Sequence, residues 1–135
     1  MPIPINVGDA FLLNDSSNNE HLYITIAQNS NTDFFLFVNV TTLNSRSDQS
    51  CILKPYPNNP NTLKFVKHDS CINYKDARQL NTEDLGKVIK RGSPIPYERC
   101  PIGLLHRIQK AGLGSKRFPR GHKEVLEIYL NSIKE

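Results

Sequence analysis

The chain has 135 residues, with 17 Lys and Arg against 13 Asp and Glu, 38% apolar residues and no Trp. That is the length of one domain, enough to bury a core without disulfide or metal staples. The charge is uneven: residues 1–63 carry a net −3 and residues 64–135 a net +7 within the total of +4, which points to an anionic partner for the second half, with RNA or DNA the usual candidate, or to a solvated basic surface.

In chain order, the first part reads as short strands. Met1-Pro-Ile-Pro-Ile5 has no basic region followed by an apolar stretch, so no signal peptide is expected. Ala10–Leu13 is a compact apolar run, and Leu22–Ala27 alternates with the period of a half-buried strand. Phe34-Phe-Leu-Phe-Val-Asn-Val40 is the best candidate for a central strand and is far too short to span a bilayer. The Asn/Asp/Ser-rich segments 14–19 and 28–33 read as loops, because these side chains satisfy local backbone groups. Ser50–Leu53 is a short fourth strand, and Pro55–Pro60 breaks regular structure. Leu63–Val66 and Ser70–Tyr74 complete a set of strands spaced for a small barrel.

Near residue 80 the character changes. Asn81 or Thr82 is placed to cap a helix running to Arg91-Gly92, with acids in its first turn and bases at its end. Ser93–Pro96 reads as an extended linker. Pro101 opens a second helix with Ile102, Leu105 and Ile108 on one face, stopped by Gly112 and Gly114. Lys116–Lys123 reads as a basic loop, and Val125, Leu126, Tyr129, Leu130 and Ile133 form the apolar stripe of a last helix. The class is α+β: a small barrel followed by helices.

Cys51, Cys71 and Cys100 are odd in number and far apart, with no CxxC or zinc-finger spacing, so they read as reduced thiols in a cytoplasmic protein without metal. Neither GxxxxGK[ST] nor GxGxxG occurs, and no cofactor is expected.

Three segments together resemble the MazF/PemK toxin family. Asn6-Val-Gly-Asp-Ala-Phe-Leu-Leu13 is similar to that family's opening strand, a Gly-Asp followed by apolar residues. His21–Ala27 stands where the family has its second strand, and Val38-Asn-Val-Thr-Thr42 where it has an apolar strand ending in hydroxyl residues. The resemblance spans residues 6–78. It implies an SH3-like barrel over residues 1–80; residues 81–135, longer than the family's usual helical end, read as a helical extension packed on it. It further implies a cytoplasmic, metal-independent endoribonuclease that forms a homodimer and is inhibited by an antitoxin. The family places Arg-Pro before its second strand, where this chain has His21-Leu22.

Metal-free RNA cleavage needs a base for the 2′-OH, an acid for the leaving 5′-oxygen and stabilisation of the phosphorane charge. Imidazole suits the first two tasks, with an ordinary pKa of about 6.5. His21, Thr41 and Thr42, at the positions the resemblance marks, and His68, in Lys67-His-Asp-Ser70, are the catalytic candidates. Each also has an ordinary structural reading, as a strand-edge His, a β-favouring Thr or a polar turn. Lys67, Lys75 and Arg78 could line a phosphate surface. Lys116, Arg117, Arg120 and Lys123 crowd around Phe118, a pattern suited to single-stranded nucleic acid, where cations track phosphates and a ring stacks a base. A non-catalytic binding module is the alternative. A helix-turn-helix over 82–91 and 101–111 ranks last, because its linker exceeds the usual three- or four-residue turn.

Overall fold

The computed structural model describes residues 3–14 and 19–133. The expectations for Met1-Pro2 and for residues 15–18 of the first loop lie outside the described residues.

Among the described residues, six strands form one antiparallel sheet curled into a half-barrel, with three helices. The strands are β1 (Asp9–Asn14), β2 (Glu20–Gln28), β3 (Phe35–Thr42), β4 (Ile52–Leu53), β5 (Ser70–Leu80) and β6 (Glu98–Arg99), in the order β4-β5-β3-β2-β1-β6. The helices are α1 (Thr82–Val88), α2 (Ile102–Gly114) and α3 (Arg120–Ser132). None is long and apolar enough to cross a membrane among the described residues.

The apolar runs of β1, β2 and β3 are strands as expected, and β3 is central. β2 is not half-buried: Leu22 through Ala27 are all buried, because both faces of the sheet are covered. One face carries Leu12, Leu22, Ile24, Val38, Val40 and Ile72 into a core with Leu104, Leu105 and Ile108 of α2 and Leu126 of α3. The other carries Phe11, Leu13, Tyr23 and Phe37 against Leu85 of α1, with Ile5 closing the cluster.

Gly8 shows why Gly-Asp stands at the start of the first strand. Its φ of +102° lies in the region that favours glycine. In that conformation its N–H donates to the Thr25 carbonyl and its own carbonyl accepts from Cys100 N–H. The following Asp9 is buried and is held by the Arg99 guanidinium at 2.6 Å, joining β1 to β6.

Several expectations are corrected. Leu63–Val66 is a turn, closed by Val66 N–H on the Leu63 carbonyl. Its middle amides, of Lys64 and Phe65, donate to the Glu98 carboxylate instead of to a strand. Ser70–Tyr74 is only the first part of β5, which runs on to Leu80: Lys75–Ala77 bulge out of the ladder, and Arg78–Leu80 pair again with β3. β6 lies unforeseen within the expected linker between α1 and α2, so those helices are separated by a strand of the sheet and not by a short turn. α1 ends at Val88, three residues early, where its end is tied to β1 by Lys90 N–H on the Leu12 carbonyl.

Ile102 is 66% exposed rather than buried. Gly112 is no helix stop: it lies within α2, where a Cβ would sit 3.0 Å from the Tyr74 ring and 3.2 Å from Phe118. A glycine there lets the helix approach the sheet closely enough for the Tyr74 hydroxyl to donate to the Ile108 carbonyl at 2.6 Å. All three cysteines are unpaired and buried, and burial pushes the Cys100 thiol up to about 12.

Candidate functional site

The predicted site residues separate onto the two faces of the sheet. Side chains alternate along a strand. In β2, His21 and Tyr23 therefore face the α1 side, and Tyr23 pairs across to Asn39 of β3. Thr41, two residues beyond Asn39, shares that face. Thr42 points to the opposite face, where its Oγ1 lies 2.9 Å from His68 Nε2. The Thr42–His68 pair is exposed, and the neighbouring Asp69 takes an ion pair from Lys54 at 3.2 Å. The four catalytic candidates thus form two groups, His21 with Thr41 and Thr42 with His68.

The α1 side holds an open cleft of about 850 Å³ whose lining includes His21, Tyr23, Asn39, Lys75, Asp76, Arg78 and Lys87. Three features of the chain build it. The register of β3 and β5 shifts between Phe37 and Asn39, so β5 bulges and brings Lys75, Asp76 and Arg78 around the polar centre of β3. Asn81 caps α1, accepting from Asp84 N–H at 2.7 Å, which starts the helix immediately after β5 and sets Lys87 beside the cleft. Leu13 pairs with both His21 and Ile89, fixing the start of β2 next to the end of α1.

Within the cleft the groups are ordered by contacts. The Arg78 guanidinium carbon lies 5.6 Å from the Tyr23 ring centroid, and the His21 and Tyr23 rings meet edge to face at 6.5 Å. Asp76 accepts from the Asn73 amide at 2.8 Å. Lys87 is 4.0 Å from Glu83, one turn back on an exposed helix, a contact worth little. Among the described residues, the cleft therefore gathers Lys75, Arg78 and Lys87 against one carboxylate, Asp76. An imidazole and a carboxylate there can exchange protons, and the cations can hold an anion.

The C-terminal basic cluster is arranged differently. Phe118 is not available for stacking: it is buried, with its ring 5.2 Å from that of Tyr74. The expected basic loop is already helical from Arg120. Arg117 donates to the Arg46 carbonyl at 2.7 Å, Lys123 to the Ser115 carbonyl at 2.8 Å, and Arg120 pairs with Glu124 at 3.2 Å. Only Lys116 of that group carries no such tie among the described residues. Beneath them, buried Asp48 accepts from the hydroxyls of Ser50 at 2.6 Å and Ser115 at 2.5 Å. Burial alone would raise this carboxyl, but the Ser115 and Ser50 hydrogen bonds, with Arg117 nearby, hold it below the ordinary value. Lys67 lies apart from both groups, its ammonium 5.7 Å from the Tyr56 ring.

Sequence reasoning found His21, Lys75 and Arg78 but missed Asn39, Tyr23, Asp76 and Lys87. Asn39 had a readable signal: it is the one polar residue inside the apolar run from Phe34 to Val40. Lys87 had none, because only the packing of α1 brings it near His21. No protein-family model matches this chain, and no curated protein matches it.

Proposed function

We propose that the cleft around His21 binds RNA and that the protein is a toxin-like, metal-independent endoribonuclease on an SH3-like barrel of the MazF/PemK kind. The observation that carries this reading is the gathering of Lys75, Arg78 and Lys87 around His21 and Asp76 in one open cleft. In the proposed reaction the 2′-oxygen attacks phosphorus and the 5′-oxygen leaves, giving a 2′,3′-cyclic phosphate. A base accepts the 2′-OH proton, and an acid returns one to the 5′-oxygen. His21 and Asp76 are assigned these two roles, and Arg78 and Lys75 stabilise the phosphorane charge. Arg78 supplies the guanidinium that the resembling family places before its second strand, here brought in from β5. A cytoplasmic location, pairing as a homodimer and control by an antitoxin belong to the same reading.

The test is cleavage of 5′-labelled RNA by the full chain in EDTA. Loss of cleavage in His21→Ala, with the fold retained, is expected; full activity in that variant refutes the assignment. A second reading, RNA binding without cleavage, is favoured by one observation: His68 is held by Thr42 on the other face, so His21 is the only imidazole lining the cleft. It predicts salt-sensitive binding with no product.

A further inference from the structure

Asn39 is only 3% exposed, lines the His21 cleft, and leaves its Oδ1 without a hydrogen-bond partner. An orphaned buried carbonyl is unfavourable, and packing gives no reason for it. The flanking Val38 and Val40 are apolar, and a leucine of similar size would cover the same surface. A residue that breaks the local pattern in this way is where a ligand contact is expected.

Its surroundings define the ligand. Tyr23 sits opposite Asn39 in register, with the flat guanidinium of Arg78 over its ring. Lys75 and Lys87 line the same cleft. One side chain that exchanges hydrogen bonds in a plane, a stacked planar wall and cations nearby together suit a nucleotide unit: base edge on the carboxamide, phosphate on the cations. An inorganic anion would use the cations and leave the carbonyl unpaired.

We infer that Asn39 is a base-reading residue, whose carboxamide accepts an N–H from the edge of one nucleobase of the bound RNA while Lys75 and Arg78 hold the adjoining phosphate. This rests on the RNA-binding reading above. The carbonyl is covered in the free protein, so the base reaches it only as side chains lining the cleft shift on binding.

The experiment measures binding of fluorescent rA6, rC6 and rU6 to the full chain and to Asn39→Leu, each across a salt series. A pair of hydrogen bonds to a base edge discriminates by about five- to 150-fold. The wild type is expected to prefer one oligonucleotide at least about fivefold. Asn39→Leu should bring all three within about twofold of one another, with the salt slope unchanged because phosphate contacts remain. The variant should melt no lower than wild type, since an orphaned carbonyl has been removed. A second measurement does not depend on the variant: the Asn39 side-chain amide resonance should shift on titration with the preferred oligonucleotide and stay in place with tripolyphosphate.

Equal binding of the three oligonucleotides by wild type, or an unchanged preference in Asn39→Leu, overturns base reading while RNA binding stands. An amide resonance that does not respond to bound RNA does the same. No binding of any oligonucleotide by wild type overturns the RNA reading itself, and this inference with it.

Discussion

The two faces of the sheet use cationic side chains in opposite ways. On the face covered by α2 and α3, Arg107, Arg117 and Lys123 donate to the backbone carbonyls of Ile52, Arg46 and Ser115, and so tie loops and helices to the core. On the α1 face, Lys75, Arg78 and Lys87 surround a cleft with His21. The densest basic stretch of the sequence is therefore largely spent on structure, while a sparser set, drawn from β5 and α1, faces open space. Charge density along a chain finds cations, but only their partners decide whether they can meet a ligand.

Phe118→Ala makes the largest test of this contrast. Phe118 is 4% exposed against Tyr74 and Gly112, so its removal leaves a cavity and should destabilise the fold by about 3–5 kcal/mol. Urea unfolding measures the loss. RNA affinity under folding conditions should be unchanged; a loss of affinity with little loss of stability would return this ring to the surface role its neighbours in sequence suggest.

The second test addresses the open cations. Lys75→Ala with Arg78→Ala should lower stability by no more than about 1 kcal/mol, since Lys75 is exposed and Arg78 gives up its contact with the Tyr23 ring. RNA binding should weaken by about 1.5–3 kcal/mol for each charge-assisted contact removed, and the salt slope should fall by about one for each phosphate released. The matched control, Arg117→Ala with Lys123→Ala, should do the reverse, lowering stability and leaving the salt slope in place.

How much of this was legible in the sequence follows from the same physics. β1, β2 and β3 were readable because apolar runs and alternation are local signals, and so was the Asn81 cap. The second half of β5 was not, because Lys75–Ala77 is a bulge and the polar Arg78 and Gln79 join the ladder only through their pairing with β3. Leu63–Val66 misled in the other direction: Leu63 and Val66 are buried, but from a turn whose amides at Lys64 and Phe65 are satisfied by Glu98, some 30 residues away. His21, Lys75 and Arg78 were marked as candidates, while their meeting depends on the β5 bulge, a tertiary feature. The split of Thr41 from Thr42 was implicit in alternation once β3 was known to run through both.

A smaller effect concerns pH on the helix-covered face. His122 is partly buried, its Nδ1 3.0 Å from the Gln79 amide, and burial lowers its pKa below the ordinary 6.5. The unfolded chain thus takes up its proton first. Stability contributed by neutral His122 is present above pH 6.5 and is lost as pH falls through the lowered folded value. Urea midpoints measured from pH 7.5 to 5 should decline, and His122→Gln should flatten that decline. An identical slope in the variant would place the mild-acid sensitivity elsewhere.

The smallest expected effect separates the two faces most cleanly. Thr42 and His68 are exposed, and their 2.9 Å hydrogen bond contributes about 1 kcal/mol at most. His68→Ala should therefore shift the unfolding midpoint only slightly and leave both RNA cleavage and binding intact, because His68 stands across the sheet from the His21 cleft. Alternation enforces that separation: Thr42 cannot turn toward His21 without a one-residue slip of β3, which would carry Leu36, Val38 and Val40 out of the core. Loss of cleavage in His68→Ala, with activity retained in His21→Ala, would move the chemistry to the opposite face and leave the cationic cleft as a binding surface alone.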